Sequence, residues 1–326
     1  MRAGIIGSGA YVPKKIISNF DLEKIVDTSN QWISERTGIL YRRKADDNIC
    51  SSDLGAEAAK IALKNANLNP EDIDLIIAAS SSPDRIFPAT ACLIQNKIGA
   101  KNAAAFDIQA ACTGFIYAVT TAAQYISTGL YKNILVVGCE VLSKITDFKD
   151  RNTCVLFGDG AGAVILSEVD YGGIITNILG ADGSGSELLE LPAGGTSEPA
   201  SFDTVKERKH YIKMRGCEVF KFAVRVLEDC TRKIAEKANV SLKDIDYIIP
   251  HQANIRIIEA AIKRLEYPCE RVVVNLNKYG NMSSASIPVA LHEAYQTGKI
   301  KRGHKIILVG FGAGLTWGAN LIEWTL

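Results

Sequence analysis

The sequence has almost no net charge, no long apolar run and no paired cysteines, and each absence removes a class of protein. Its 37 basic and 36 acidic residues create no overall basic field that would attract nucleic acid or anionic membranes. No apolar run reaches the ~20 residues that cross a bilayer, and the first residues lack the apolar stretch and cleavage site of a secretory signal. We therefore expect a cytoplasmic protein that binds neither nucleic acid nor membrane.

The eight cysteines include no CxxC pair, and the four histidines form no metal-ligand cluster with them. This pattern is typical of reduced, mostly buried thiols, and it predicts neither a disulfide framework nor a metal site. The chain has 326 residues, of which 47% are hydrophobic. That is enough for a large core and for about two domains of ordinary size.

The chain repeats itself at a spacing of 172 residues. ANLNPEDIDLII at 66–77 matches ANVSLKDIDYII at 238–249 at seven of twelve positions, and ILVVG at 134–138 matches IILVG at 306–310 at the same spacing. Two segments that share one spacing indicate two structurally related halves. We divide them into residues 1–171 and 172–326.

Each half alternates short apolar runs with helical stretches, which is typical of a buried, mostly parallel sheet in an α/β fold. AAAFDI at 103–108 predicts a strand in the first half, and RVVVNL at 271–276 predicts its counterpart in the second. The glycine-rich segments at 157–166 and 311–322 each lead into a further strand. Because these glycines open a strand and not a helix, a nucleotide-binding loop is disfavoured.

Cys112 is the strongest candidate nucleophile. It opens the apolar helical stretch within DIQAACTGFIYAVTTAAQYIS, and its small neighbours leave room for a substrate. The unpaired N–H groups and the dipole of a helix N-terminus stabilise an anion. We therefore expect the pKa of Cys112 to lie below the usual ~8.5 of a thiol, towards neutrality. The alternative is a small core residue, which is the commoner role of an isolated cysteine.

Two polar residues are expected beside Cys112. The 172-residue spacing carries Cys112 onto YGNMSSAS, a second loop that turns into an apolar helix. If a pseudo-twofold axis relates the halves, the two helix starts face each other, and Asn281 lies opposite Cys112. His251 directly follows the strand predicted in DIDYIIPHQAN, at the end of a strand where α/β sheets place ligand sites.

The segments AACTGF, HQAN and YGNMSSAS resemble those of the β-ketoacyl-[acyl-carrier-protein] synthases III, and the resemblance runs from GSGAYVP to TWGANLIEW. A Cys, His and Asn in this order distinguish that family from the elongating synthases and the thiolases, which use a second His or a second Cys where Asn281 stands here. The resemblance implies a thiolase-like five-layered αβαβα sandwich of two pseudo-twofold-related halves, assembled as a homodimer. It also implies catalysis by Cys112, His251 and Asn281.

The resemblance further implies a two-step acyl transfer without a cofactor. Cys112 would take an acyl group, typically acetyl, from an acyl-CoA. Malonyl-[acyl-carrier protein] would then lose CO₂ and attack this thioester, which starts fatty-acid synthesis. His251 and Asn281 would donate hydrogen bonds to the enolate oxygen, and the backbone N–H groups of Cys112 and Ala313 would hold the oxyanion of the acyl group.

Further residues receive binding roles through the same resemblance. The expected coenzyme A contacts are Trp32, Arg36, Thr37, Arg151, Met214, Phe220 and Asn254. The expected acyl pocket is lined by Phe87, Leu142, Phe157 and Leu189, with Phe87 reaching in from the partner subunit. A basic patch expected to receive the acidic carrier protein consists of Lys221, Arg256, Lys263 and Arg264.

Three other interpretations stay open. Relatives with the same three residues make polyketides, long-chain ketones or hydroxymethylglutaryl-CoA. A non-catalytic partner subunit would have lost the nucleophile, whereas Cys112 is present. A nucleotide-binding regulator would use the glycine-rich segments. The large ring of Phe87 favours acetyl as the primer, although the sequence alone does not fix its length or branching.

Overall fold

The computed structural model describes all 326 residues, which form thirteen strands and eleven helices. The strands are β1 (Ala3–Tyr11), β2 (Lys15–Ser18), β3 (Tyr41–Lys44), β4 (Leu75–Ala79), β5 (Ala104–Ile108), β6 (Ile134–Glu140), β7 (Gly160–Glu168), β8 (Gly173–Ala181), β9 (Leu189–Glu190), β10 (Lys213–Met214), β11 (Tyr247–Pro250), β12 (Lys305–Gly312) and β13 (Thr316–Glu323). The helices are α1 (Asn19–Glu23), α2 (Asn30–Thr37), α3 (Ser51–Ala66), α4 (Thr90–Ile98), α5 (Gly114–Ser127), α6 (Arg151–Cys154), α7 (Phe202–Lys206), α8 (Gly216–Lys237), α9 (Ile255–Leu265), α10 (Leu276–Tyr279) and α11 (Ser286–Gln296).

Two large sheets share one strand order. The first runs β1-β7-β6-β4-β5 and the second β8-β13-β12-β11, so that only β5 lacks a counterpart. Two 3₁₀ turns repeat in the same way: Ala111–Thr113 precedes α5, and Ser283–Ala285 precedes α11. The first residue of each turn has a positive φ, 46° at Ala111 and 44° at Ser283. The predicted relation between the two halves is therefore confirmed down to the backbone of the two helix starts.

Five layers result from this arrangement. Helices α5 and α11 are apolar on nearly every face because they lie between the two sheets and pack against both. Helices α3 and α4 cover the outer face of the first sheet, and α8 and α9 cover that of the second. The predicted αβαβα sandwich is confirmed, and the two helix starts meet in its middle layer.

The sheets are mixed, and the expectation of mostly parallel sheets is wrong. Strand β4 pairs in parallel with β5 and β6, and β11 pairs in parallel with β12, but every other pair in the two sheets is antiparallel. The physical reason is clear at β12 and β13, which are joined by residues 313–315 alone. So short a connection allows only an antiparallel hairpin.

The strand predicted at 271–276 does not form. Only Val272 makes a bridge, to Ile248, and the segment then turns into α10. The Gln252 side chain explains the difference, since it donates to the carbonyl of Val273 at 3.0 Å and accepts from the N–H of Asn275 at 3.0 Å. A side chain thus takes the place of a neighbouring strand.

No helix in the protein combines the length and the apolar character needed to span a membrane. The chain passes from the first sheet to the second through residues 169–172, between β7 and β8. The boundary at 171/172 between two domains stays a prediction.

Candidate active site

Cys112 lies in the 3₁₀ turn before α5 and is only 7% exposed. The expected lowering of its pKa is wrong, because burial raises the pKa of this thiol to about 12. The Ser283 side chain acts in the opposite direction and lowers this pKa. The resting form of Cys112 is therefore the thiol.

The end of β12 approaches Cys112 closely. A Cβ atom at Gly312 would lie 2.8 Å from the backbone nitrogen of Cys112, so only glycine permits this contact. The N–H of the next residue, Ala313, makes no backbone hydrogen bond. The Thr316 hydroxyl lies 3.0 Å from the Ala313 carbonyl and 3.1 Å from that of Ala110, and it thereby ties this turn to the nucleophile turn.

His251 directly follows β11, as predicted, and is 1% exposed. Its backbone N–H donates to the carbonyl of Val309 at 2.8 Å. Its ring stands edge-on to the ring of Phe311, with centroids 5.4 Å apart. Nδ1 lies 2.7 Å from the Ser286 hydroxyl, whereas Nε2 has no hydrogen-bond partner in the protein. Burial lowers the pKa of His251 to about 3, so the imidazole is neutral at neutral pH.

Asn281 is held by both halves of the chain. Its backbone pairs with the first half, since its N–H donates to Leu156 at 2.8 Å and its carbonyl accepts from Gly158 at 2.9 Å. Its side-chain oxygen accepts the N–H of Ser283 at 2.8 Å. Only the oxygen can make that bond, so the amide nitrogen is left as a donor without a protein partner.

Two cavities meet at Cys112. One of about 100 Å³ contains His251 and Asn281, and it continues past Met214, Phe220 and Asn254. The other, of about 360 Å³, contains Ala313 and three of the predicted acyl-pocket residues, Leu142, Phe157 and Leu189. The predicted catalytic residues therefore share one cavity, and Cys112, Phe157 and Leu189 line both cavities. The fourth predicted pocket residue, Phe87, lies outside both and is 83% exposed.

The remaining residues expected at coenzyme A lie around α2. The Arg151 guanidinium stacks 4.5 Å from the centre of the Trp32 ring, so a base held between them requires Arg151 to move outward. The carbonyl of Arg36 accepts from the side chain of Asn254 at 3.0 Å, which joins α2 to the cavity. Thr37 does not fit its expected role. It is 3% exposed, and its hydroxyl is already bonded to Ile33 and Ile39.

Two family models match this chain. The one for 3-oxoacyl-[acyl-carrier-protein (ACP)] synthase III covers residues 106–183, and the one for the C-terminal part of that family covers residues 235–324. The β-ketoacyl-[acyl-carrier-protein] synthase III of Caldanaerobacter subterraneus subsp. tengcongensis is 56% identical over 324 residues, which are 99% of this chain and 98% of that protein. This chain belongs to the β-ketoacyl-[acyl-carrier-protein] synthase III family.

Solved structures agree with the family. The 3-oxoacyl-[acyl-carrier-protein] synthase III of Aquifex aeolicus VF5 is 49% identical, with a TM-score of 0.92 over 99% of this chain and 100% of that one. The priming β-ketosynthase of the R1128 polyketide biosynthetic pathway is 33% identical, with a TM-score of 0.92 over 99% of this chain and 97% of that one. The predicted family, fold class and class of enzyme, an acyltransferase that performs condensations, are confirmed.

The basic patch of this synthase III chain adjoins the cavity. Arg256 stacks 5.7 Å from the ring centre of Phe220, which lines the cavity wall. Lys221 and Lys263 are exposed and unpaired, whereas Arg264 lies 3.6 Å from Glu228 and is partly neutralised. Three cations of the predicted four are thus free to receive an acidic partner.

The polar residues at the site that were not predicted include Ser283, Ser286 and Glu140. The 172-residue spacing could have found both serines, because it carries Ala111 onto Ser283 and Gly114 onto Ser286. Glu140 ends β6 and is fully buried. A charged residue at the end of an apolar strand was the available signal for it.

Glu140 joins the two halves through a network of serines. One carboxyl oxygen, Oε2, accepts from the N–H and the hydroxyl of Ser82, and Ser81 N–H donates to both oxygens. The other oxygen, Oε1, lies 2.7 Å from the Ser284 hydroxyl, which is also 2.8 Å from the carbonyl of Ala79. One hydroxyl hydrogen cannot serve both acceptors, but both contacts are satisfied when Oε1 itself carries a proton. Burial raises the pKa of Glu140 in agreement.

Proposed function

We propose that this protein is the initiating condensing enzyme of type II fatty-acid synthesis, which joins an acyl-CoA primer to malonyl-[acyl-carrier protein]. The observation that carries the proposal is the meeting of the two cavities at Cys112. Two free hydrogen-bond donors, from His251 and Asn281, lie in one cavity, and the other is mostly apolar. The acyl chain carried by the sulfur can thus occupy the apolar cavity, while the enolate held by the two donors attacks the acyl carbon from the other.

In the first half-reaction, the Cys112 sulfur attacks the thioester carbon of the acyl-CoA. The bond to the coenzyme A sulfur breaks, and the proton of the Cys112 thiol leaves with coenzyme A. The N–H groups of Cys112 and Ala313 hold the oxyanion, where a preorganised donor contributes roughly 10²–10³ in rate. The acyl chain then occupies the cavity beside Leu142, Phe157 and Leu189.

In the second half-reaction, malonyl-[acyl-carrier protein] loses CO₂. The electron pair of the broken carbon–carbon bond forms an enolate, whose oxygen accepts hydrogen bonds from His251 Nε2 and Asn281 Nδ2. The enolate carbon attacks the acyl-Cys112 carbon, the carbon–sulfur bond breaks, and Cys112 takes up a proton. Donors that meet this charge only in the transition state raise the rate constant and not merely the affinity.

The proposal includes partners and location. Trp32, Arg36 and Arg151 bind the nucleotide end of coenzyme A, and Lys221, Arg256 and Lys263 receive the acidic carrier protein. Phe87 supports a homodimer, since a ring that is 83% exposed next to an equally exposed Ile86 is suited to a partner surface. Eight free thiols support the reducing cytoplasm. No further cofactor takes part, and the halves 1–171 and 172–326 act as two domains.

A second candidate is the priming of a polyketide chain by the same chemistry. Its support is the likeness to the R1128 priming ketosynthase at 33% identity. The identity of 56% to a fatty-acid synthase III favours the first candidate. The two differ in the primer and in the carrier protein, and not in the roles of Cys112, His251 and Asn281.

The test separates the half-reactions. The protein is mixed with acetyl-CoA and its intact mass is measured, and an acetyl group on the wild type but not on the Cys112→Ser variant is expected. Malonyl-[acyl-carrier protein] is then added and CO₂ and product are measured for a panel of straight and branched primers. A Cys112→Ser variant that condenses at the wild-type rate would refute the proposal. Activity confined to malonyl-CoA or to a polyketide carrier protein would favour the alternatives.

A further inference from the structure

The Ser286 hydroxyl is the only protein group that contacts the ring nitrogens of His251. Ser286 is the first residue of α11 and is fully buried, as is His251 except for 1% of its surface. The Oγ···Nδ1 distance is 2.7 Å. Either the ring donates to the hydroxyl or the hydroxyl donates to the ring, and the two cases put the ring hydrogen on different nitrogens.

The other contacts of Ser286 decide between the two cases. Its oxygen accepts the N–H of Gln252 at 3.4 Å, and it makes no further hydrogen bond, not even to the carbonyl one turn back in its own helix. If Nδ1 carried the hydrogen, the Ser286 hydroxyl hydrogen would be buried without an acceptor. This cost disfavours the Nδ1–H form relative to the Nε2–H form by roughly 10- to 100-fold.

We infer that Ser286 is a positioning residue that holds His251 in the Nε2–H form, and so makes it a hydrogen-bond donor to the enolate and not a base for Cys112. Nε2–H then points into the same cavity as the Asn281 amide, whose nitrogen is fixed as a donor by Ser283. Both donors are thereby oriented from the start of α11. The inference rests on the proposed function, since it assigns the form of His251 that the proposed function requires.

The tautomer can be read without any activity measurement. In protein labelled with [¹⁵N]histidine, the ring signals of His251 are identified by their loss in a His251→Gln variant. A protonated and a bare ring nitrogen have clearly different chemical shifts. We expect protonated Nε2 and bare Nδ1 in the wild type and in a Ser286→Thr variant, and a mixture of both forms in Ser286→Ala.

Kinetics then connect the tautomer to the reaction. Ser286→Ala should slow the decarboxylation of malonyl-[acyl-carrier protein] by about 10- to 100-fold and leave the acylation of Cys112 by acetyl-CoA within about twofold of the wild type. Ser8→Ala is the matched control, because Ser8 is also a buried serine whose hydroxyl lies 3.0 Å from the Nδ1 of a histidine, His292, and it lines neither cavity. It should leave both half-reactions unchanged.

Several outcomes would overturn the inference: a hydrogen on Nδ1 in the wild type, a Ser286→Ala variant that keeps the decarboxylation rate, or equal losses in the two half-reactions. Failure of the proposed function looks different. In that case the wild type itself would release no CO₂ from malonyl-[acyl-carrier protein], while the NMR spectrum would still report the tautomer of His251.

Discussion

Replacing Glu140 by glutamine should leave stability nearly unchanged, although Glu140 is fully buried and bonded to both halves. If Oε1 carries a proton, the amide of Glu140→Gln donates to the Ser284 hydroxyl in its place, and the other oxygen still accepts from Ser81 and Ser82. Only the long 3.3 Å bond from the Ser284 N–H to Oε1 is lost. We expect the free energy of unfolding to change by about 1 kcal/mol or less. Glu140→Ala differs, because the three backbone N–H groups of Ser81, Ser82 and Ser284 lose their acceptor and a cavity forms. Its expected cost is roughly 3–5 kcal/mol.

The pH dependence gives the sign of the effect. The pKa of Glu140 is raised above its ordinary value of 4.5 in the folded protein. At a pH between the ordinary pKa and the raised pKa of the folded protein, the folded state therefore binds more protons than the unfolded state. The stabilisation is complete below 4.5 and is lost as the pH rises through the folded pKa. The glutamine side chain does not titrate. The difference in the free energy of unfolding between the wild type and Glu140→Gln therefore isolates the contribution of Glu140 from that of all other groups.

Urea denaturation followed by tryptophan fluorescence measures both effects. We expect the wild type to lose stability relative to Glu140→Gln as the pH rises above 4.5 towards the raised pKa of Glu140. An ionised Glu140 would give a different result. The glutamine substitution would then lower the free energy of unfolding by several kcal/mol, as the alanine substitution does. The difference in stability between the wild type and Glu140→Gln would not fall with rising pH. That outcome would refute the protonated carboxyl group.

Three further substitutions test the site. Gly312→Ala should slow acylation by about 100-fold, because its Cβ would lie 2.8 Å from the nitrogen of Cys112; rapid labelling in an intact-mass time course would contradict this. Arg256→Glu should raise the KM for malonyl-[acyl-carrier protein] about tenfold and spare acylation. Arg302→Glu is its control, since Arg302 also stacks on an aromatic ring, that of Tyr171, and equal effects of the two would count against the patch. Trp32→Ala should raise the KM for acetyl-CoA about tenfold and spare the malonyl step, and a change in kcat alone would count against stacking.

The repeat made much of the site predictable. A spacing read from two short segments placed Asn281 opposite Cys112, and the structure gives their two turns φ angles that agree within a few degrees. The prediction succeeded because related halves repeat the same backbone conformation. The spacing therefore locates equivalent positions in the two halves even where their side chains differ. The position of His251 followed from the same logic, as the residue after β11.

What the sequence did not predict depends on contacts between distant segments. The pKa of Cys112 is set by burial against the end of β12, some 200 residues away, and not by the local helix start alone. The segment 271–276 has the composition of a strand, yet Gln252 satisfies its backbone. Thr37 belongs to the segment expected to bind coenzyme A, but its hydroxyl already forms hydrogen bonds to the backbone of Ile33 and Ile39. Local composition carries no information about such partners.

The repeat also explains why a serine and a histidine face each other in the second half. The 172-residue spacing relates Ala79 to His251 and Gly114 to Ser286. In the first half a Cβ on Gly114 would lie 2.9 Å from that of Ala79, so the strand end and the helix start touch as two small residues. In the second half the same place in the fold holds the 2.7 Å hydrogen bond between His251 and Ser286. Because the backbones correspond, the first half is free to present Cys112 at its helix start, and the second orients the two donors that we propose act on the enolate.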